Sequence, residues 1–148
     1  MPRRTTTHLN YTALARFRRE LRRFLTFSER AAREFGVDPQ QHQLLLALRG
    51  LPTPTKPPTI GNIAEWLVIQ HHSAVELVDR AGARGLVRRV EDPEDRRRVL
   101  VEITSLGEAL LADLSRLHRA ELEASAPALL DALRDVLAES LATEQPAR

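Results

Sequence analysis

The sequence contains no cysteine. Disulfides, thiolate metal sites and cysteine-based redox sensing are therefore excluded. Aromatic residues are scarce, at 4%, which suits a helix-rich chain better than an all-β one. No apolar run approaches the roughly 18–20 residues needed to cross a bilayer. Arg3 and Arg4 stand near the N-terminus, but no apolar stretch follows them, so a signal peptide is not expected. A soluble, cytoplasmic location is the resulting expectation. Neither sign of charge dominates, since 22 basic against 20 acidic residues leave a net charge of +2.

What is present is a chain of 148 residues, 43% of them apolar. That fits one domain with a real core, plus an oligomerisation element. The distribution of charge says more than its sum. Arg16, Arg18, Arg19, Arg22, Arg23, Arg30 and Arg33 make the first third basic. Arg84, Arg88, Arg89, Arg96, Arg97 and Arg98 form a second basic run. Almost all the positive charge is arginine, whose guanidinium suits phosphate contacts. Such segregation points to an anionic partner, or to solvated helix faces.

Hydrophobic spacing divides the chain. Leu14, Phe17, Leu21, Phe24, Ala31 and Phe35 recur at helical intervals, predicting a helix over 9–35 stopped by Gly36. Asp38 and Pro39 are an N-cap and a first helical residue; Leu44, Leu45, Leu46 and Leu48 supply the core face of that second helix. The proline-rich stretch 51–58 reads as a stiff loop, with a short strand at Thr59-Ile60. A short helix follows from Gly61 to about Val68, with Ile63, Ala64 and Leu67 inward. Ala74, Leu77, Val78 and Ala81 then mark a helix over His72–Ala83. Two short helices joined by a tight turn, the second polar outside, form a helix-turn-helix pattern. Gly82 inside the second is expected to end or bend it early.

Leu86 to Val90 and Arg98 to Ile103 read as strands of a hairpin around a charged turn. Its acidic tip, Glu91-Asp92-Pro93-Glu94, is expected to point outward or to pair with nearby arginines. Thr104-Ser105 caps a last helix, with Glu108 spaced to close a capping box from Ser105. Leucines at 106, 110, 114, 117, 122, 129, 130, 133, 137 and 141 continue an apolar face, broken or restarted at Ser125-Ala126-Pro127. Residues 145–148 should fray.

This order, and above all its local sequence, resembles the multiple-antibiotic-resistance regulator (MarR) family. Leu77-Val78-Asp79-Arg80 with Arg84-Gly85-Leu86-Val87-Arg88-Arg89 resembles the exit of that family's recognition helix. Asp92-Pro93-Glu94-Asp95-Arg96-Arg97-Arg98-Val99-Leu100-Val101 resembles its wing, with the Asp-x-Arg signature at Asp95 and Arg97. Thr104 and Gly107 resemble the start of its long helix. The resemblance implies a mainly α fold with a small β-hairpin over 1–148. The winged helix-turn-helix would occupy 37–104, its wing about 86–103, and dimerisation helices 9–35 and 106–145.

The resemblance further implies a homodimeric transcriptional regulator, most simply a repressor, that reads a palindromic operator in double-stranded DNA. A major groove about 12 Å wide admits one helix. Gln70, His71, His72, Ser73 and Glu76 are then the candidate base readers, with Arg80 on phosphate. His71-His72 read equally as a polar helix start, and Glu76 as an i,i+4 partner of Arg80. The resemblance places Arg97 in the minor groove, oriented by Asp95 beside Arg96; the alternative is a pair that only stabilises a turn. Arg88, Arg89, Arg96 and Arg98 are candidates for phosphate contacts.

Members of that family often bind small lipophilic or aromatic molecules. Phe24, Phe27, His42 and Trp66 are candidate lining residues, or simply core. No cofactor is expected. His72 and Glu76 have zinc-compatible spacing but no evident third ligand, and no Gly-rich phosphate loop or activated nucleophile is present, so an enzyme is not expected. The remaining alternative is a co-regulator of the same fold that binds protein rather than DNA.

Overall fold

A computed structural model describes residues 9–52 and 56–142. Expectations for Arg3, Arg4, residues 53–55, the side chain of Leu141 and the tail 145–148 lie outside the described residues. The elements run α1 (Tyr11–Glu34), α2 (Pro39–Gly50), α3 (Ile60–Leu67), α4 (His71–Ala83), β1 (Val87–Glu91), β2 (Val99–Ile103) and α5 (Ser105–Ala142). The fold is mainly α with one antiparallel hairpin. Two compact units are distinguished: residues Ser28–His118, and residues 1–27 with 119–148.

Local chemistry explains the helix starts. Asn10 Oδ1 accepts the Ala13 N–H at 3.0 Å. Asp38 accepts the Gln40 N–H at 2.8 Å, and Gln41 returns a bond to the Asp38 N–H, completing a capping box. Thr59 and Asn62 form a second box at α3. Gly36 and Gly85 take φ of +74° and +71°, the left-handed conformation that ends a helix at little cost to glycine.

The core of the 28–118 unit gathers Val37, Leu44, Leu45, Ile63, Leu77, Val78, Ala81, Leu86, Val87, Val101 and Leu111. The α4 stripe predicted from spacing is buried in full. Leu46 departs from its expected core position and is 46% exposed, because Leu44, Leu45 and Ala47 already fill the inward face of α2. Thr59 forms a bridge to Leu100 rather than a strand with Ile60, which instead opens α3. Gly82 does not end α4 early, since α4 runs on to Ala83 with Ala81 fully buried. Packing of Leu77, Val78 and Ala81 outweighs the propensity cost of about 1 kcal/mol.

The cap of α5 also differs from expectation. Thr104, not Ser105, accepts the Gly107 N–H at 3.2 Å. Its hydroxyl also lies 2.5 Å from the Gly85 carbonyl and 3.1 Å from that of Leu86. Glu108 is drawn instead to Arg49 of α2, whose Nε donates to it at 2.6 Å. The expected break at 125–127 is absent: α5 continues through Pro127. Pro127 has no N–H to give the Glu123 carbonyl, and Ser125 Oγ donates to the Glu121 carbonyl at 2.9 Å in the same turn.

In the other unit, Arg16 pairs with Asp135 at 2.8 Å. Among its described residues the buried apolar side chains are Ala13 and Ala132. Leu9, Tyr11, Leu14, Leu25, Leu122, Leu130, Leu133 and Leu137 of that unit stay exposed. No described helix is long and apolar enough to cross a membrane.

A polar cluster is buried within the 28–118 unit. His118 Nδ1 lies 2.6 Å from the Leu114 carbonyl, which can only accept, so this nitrogen carries the proton. Its Nε2 meets Ser28 Oγ at 2.7 Å. The His42 ring sits 4.7 Å from the His118 ring, and His42 Nδ1 has no hydrogen-bond partner among the described residues. Burial, and secondarily the charge of His118, pull the His42 pKa down from 6.5 to about 4. The unfolded chain thus takes up this proton at a higher pH than the folded one. The stability this group provides is complete above pH 6.5 and is lost as pH falls toward 4.

Two stability measurements follow. A Cβ on Gly107 would overlap the Leu86 carbonyl oxygen and lie 2.9 Å from Ile103 Cγ1. Gly107→Ala should therefore lower unfolding free energy by about 2–3 kcal/mol in denaturant titration; an unchanged midpoint would refute the close approach. His42→Leu should flatten the loss of stability between pH 6.5 and pH 4, on the order of 2 kcal/mol in the parent protein. Parallel acid-side curves for the two proteins would contradict the assignment.

Candidate nucleic-acid interface

The sequence-predicted reading residues lie on α4 and at its start. Gln70 is the N-cap, with φ −66° and ψ 150°, and its side chain makes no cap bond. Gln70, His71, His72, Glu76 and Arg80 are exposed, and Ser73 is half-buried. Ala74, Leu77, Val78 and Ala81 face the core on the other side. The helix therefore presents one polar face with open N–H groups at its first turn.

Glu76 does not pair with Arg80. The Arg80 guanidinium donates to Gln40 Oε1 of α2 at 3.1 Å, and Glu76 has no ion pair among the described residues. The neighbouring Arg84 is fixed at the helix exit. It donates to Gln41 Oε1 at 3.2 Å and to the Gly36 carbonyl. Sequence spacing carried no signal for that bond, which joins residues 48 apart.

The turn between α3 and α4 holds an unusual residue. Val68 has φ 57° and ψ 46°, the left-handed conformation, and is 89% exposed. A β-branched residue there carries strain of about 1–2 kcal/mol. Its N–H closes α3 onto the Ala64 and Glu65 carbonyls, and Ile69 N–H bonds the Ala64 carbonyl at 3.0 Å. These bonds hold the turn tight and set the entry of α4.

The hairpin pairs Val87 with Ile103 through Glu91 with Val99. Its tip is two successive carboxylate-nucleated turns. Asp92 Oδ1 accepts the Glu94 N–H at 3.0 Å. Asp95 Oδ1 accepts the Arg97 N–H at 3.0 Å and faces Arg97 Nε at 3.4 Å. The Arg97 side chain is 94% exposed, and Asp95 is its ion-pair partner. Orientation of Arg97 and stabilisation of a turn are thus both served by Asp95. Arg96 is exposed and has no ion pair among the described residues.

One expectation for the wing is corrected. Asp92 does not point outward: it is 2% exposed, and its side-chain cation is Lys56 rather than an arginine. Lys56 Nζ lies 3.2 Å from both Asp92 oxygens and 2.5 Å from Glu94 Oε2. The Glu94 N–H, first, and then Lys56 hold the Asp92 carboxyl below the usual carboxylate range. The same carboxylates raise the Lys56 pKa. Lys56 is the chain's single lysine among 22 cationic side chains, which was the available signal. Arg88 and Arg89 are exposed and each carries an ion pair of its own. Arg88 pairs with Glu102, directly opposite on β2, at 2.7 Å, and Arg89 with Asp79 of α4 at 2.7 Å.

Of the candidate ligand residues, Phe24 and Phe27 fall in one unit and His42 and Trp66 in the other. Phe24 lines a cleft of about 250 Å³ with Glu20, Arg23, Glu121, Ser125 and Leu129. His42 is buried in the 28–118 unit, where Trp66 is 52% exposed. Phe27 belongs to the same unit as Phe24.

A short helix, a left-handed turn, a second helix with a polar outer face and a charged hairpin define a winged helix-turn-helix domain. Residues 35–98 match the model of the MarR family. The chain is 30% identical over 114 residues to the uncharacterized HTH-type transcriptional regulator YcgE of Bacillus subtilis (strain 168), covering 77% of this chain and 71% of that protein. This protein belongs to the MarR family of transcriptional regulators. Its fold is that of AbsC, a MarR family regulator from Streptomyces coelicolor, with a TM-score of 0.71 at 19% identity over 93% of this chain and 97% of that one. The S. aureus MepR–DNA complex shares it too, with a TM-score of 0.66 at 18% identity over 86% and 94%.

Strain at Val68 is directly measurable. Glycine relieves the left-handed penalty but adds unfolded-state entropy of about 0.5–1 kcal/mol. Val68→Gly should then stabilise the protein by about 0.5–1 kcal/mol, read as a rise in melting temperature. A fall would show that the valine side chain is held by contacts the turn requires.

Proposed function

We propose that this protein binds double-stranded DNA as a homodimer and represses transcription at a palindromic operator. Each protomer lays the polar face of α4 into the major groove, where Gln70, His71, His72, Ser73 and Glu76 meet base edges and Arg80 meets phosphate. Arg97 enters the adjacent minor groove. The observation that carries this reading is the pairing of two exposed features on one unit. The outer face of α4 is open, and the Arg97 side chain is almost fully exposed with Asp95 facing its Nε. A narrow, electronegative minor groove attracts such a guanidinium. That S. aureus MepR crystallises on DNA with the same fold supports the docking.

Homodimerisation is supported by the unit built from residues 1–27 and 119–148. Its described interior is two alanines, while six leucines and Tyr11 lie exposed beside Leu9. An apolar surface of that kind in a folded chain is a partner-binding surface. A second copy supplies matching helices and places two reading helices on one duplex.

The test is binding to sequences selected from random duplex DNA, measured over a salt series. Affinity should fall steeply with salt. Arg97→Ala should weaken binding by about tenfold or more and shallow the salt slope by about one per protomer. Selection that yields no inverted repeat, or an Arg97→Ala protein with parental affinity, would overturn the reading.

A further inference from the structure

The wing of this protein hangs on its single lysine. Every other side-chain cation is arginine. Lys56 lies at the end of the proline-rich loop, immediately before Pro57 and Pro58, whose rings fix φ. Pro58 is buried, and its carbonyl accepts the Val101 N–H at 2.9 Å. Thr59 then bridges to Leu100. The backbone at 58–59 is thus fastened to β2, and Lys56 is held two residues upstream of that fastening.

From there Nζ reaches three carboxylate oxygens: both of Asp92 and one of Glu94. An ammonium has three N–H donors, so this contact set occupies all of them. Asp92 is a buried carboxylate, and burial without a cation is costly. Glu91 and Glu102 line the same cavity of about 410 Å³ beside Lys56, Pro57 and Val90. Removing the ammonium leaves Asp92 and Glu94 facing each other without the cation they share. Glu102 remains paired with Arg88.

Arg97 inherits its position from this arrangement. Its guanidinium pairs with Asp95 alone among the described residues. The Asp95 turn in turn follows directly on the Asp92 turn, through Glu94. Closure of the tip, Asp92 N–H to the Arg98 carbonyl at 3.2 Å and Arg98 N–H to the Asp95 carbonyl at 2.9 Å, makes the two turns one piece.

We propose that Lys56 is the positioning residue of the wing: by clamping Asp92 and Glu94 it sets where Arg97 is presented, without itself touching DNA. The proposal rests on the reading above, in which Arg97 binds the minor groove.

The experiment is a double-mutant cycle on selected duplex DNA, using full-length protein with Lys56→Met, Arg97→Ala and both. Lys56→Met should weaken binding by about five- to tenfold and shallow the salt slope as Arg97→Ala does. In the Arg97→Ala background it should cost nothing further. Losses and slope changes that add would mean that Lys56 contacts phosphate on its own account, and would overturn the proposal. A Lys56→Met protein with parental affinity, alongside a weakened Arg97→Ala protein, would overturn it while leaving the DNA reading intact. An Arg97→Ala protein with parental affinity would instead overturn the wing reading itself. If Lys56→Met fails to fold, Lys56→Met with Asp92→Asn removes the buried charge. That double variant should fold, yet still bind more weakly than the parent, since the clamp is gone. Parental affinity in it would again count against positioning.

Discussion

Gly107, at the start of α5, lies so close to the Leu86 carbonyl that a Cβ there would overlap it, and much else follows from that approach. No side chain fits between them. The Thr104 hydroxyl sits against the Gly85 and Leu86 carbonyls and accepts the Gly107 N–H. The exit of α4, the entry of β1 and the start of α5 therefore meet at one hydrogen-bonded knot. Arg84, one residue before Gly85, ties the same exit back to Gln41 and Gly36. α4 is thus held at its far end by these contacts, while His71 and His72 of its first turn are exposed to solvent.

Helix positions and the α4 stripe were legible in the sequence because a 3.6-residue period and local caps are encoded by neighbours. Asp38-Pro39, Gly36 and Gly85 are such signals. The wing was legible through the run from Asp92 to Val101. The interactions that position the wing were not. Lys56 meets Asp92 across 36 residues, and Arg89 meets Asp79 through the packing of α4 on β1. Such pairs depend on tertiary placement that no spacing rule encodes. The Ser105–Glu108 capping box failed for the same reason, since Arg49 competes for Glu108 from a distant helix. At Pro127 the break expected from local propensity does not occur, and at Gly82 the propensity cost of about 1 kcal/mol does not end α4.

The two units differ in how they satisfy their apolar residues. Residues 28–118 close their own core around Leu44, Leu45, Ile63, Val78 and Val101. The other unit buries alanine and leaves leucine outside. A single sequence thus carries one segment that closes an apolar core and one that, among its described residues, keeps most of its leucines exposed.

The hairpin's internal ion pairs bear on how the protein would search a genome. Arg88, Arg89, Arg97 and Arg98 each lie within ion-pair distance of one of the chain's own carboxylates. In the DNA-bound arrangement proposed above, phosphates would have to compete with those carboxylates, so the hairpin would grip arbitrary duplex less firmly than its arginine content suggests. Decoy sites number roughly 10⁶–10⁹ per genome. Brief visits to each of them shorten the time spent trapped away from the target, and a regulator present in few copies gains most from that economy of contact.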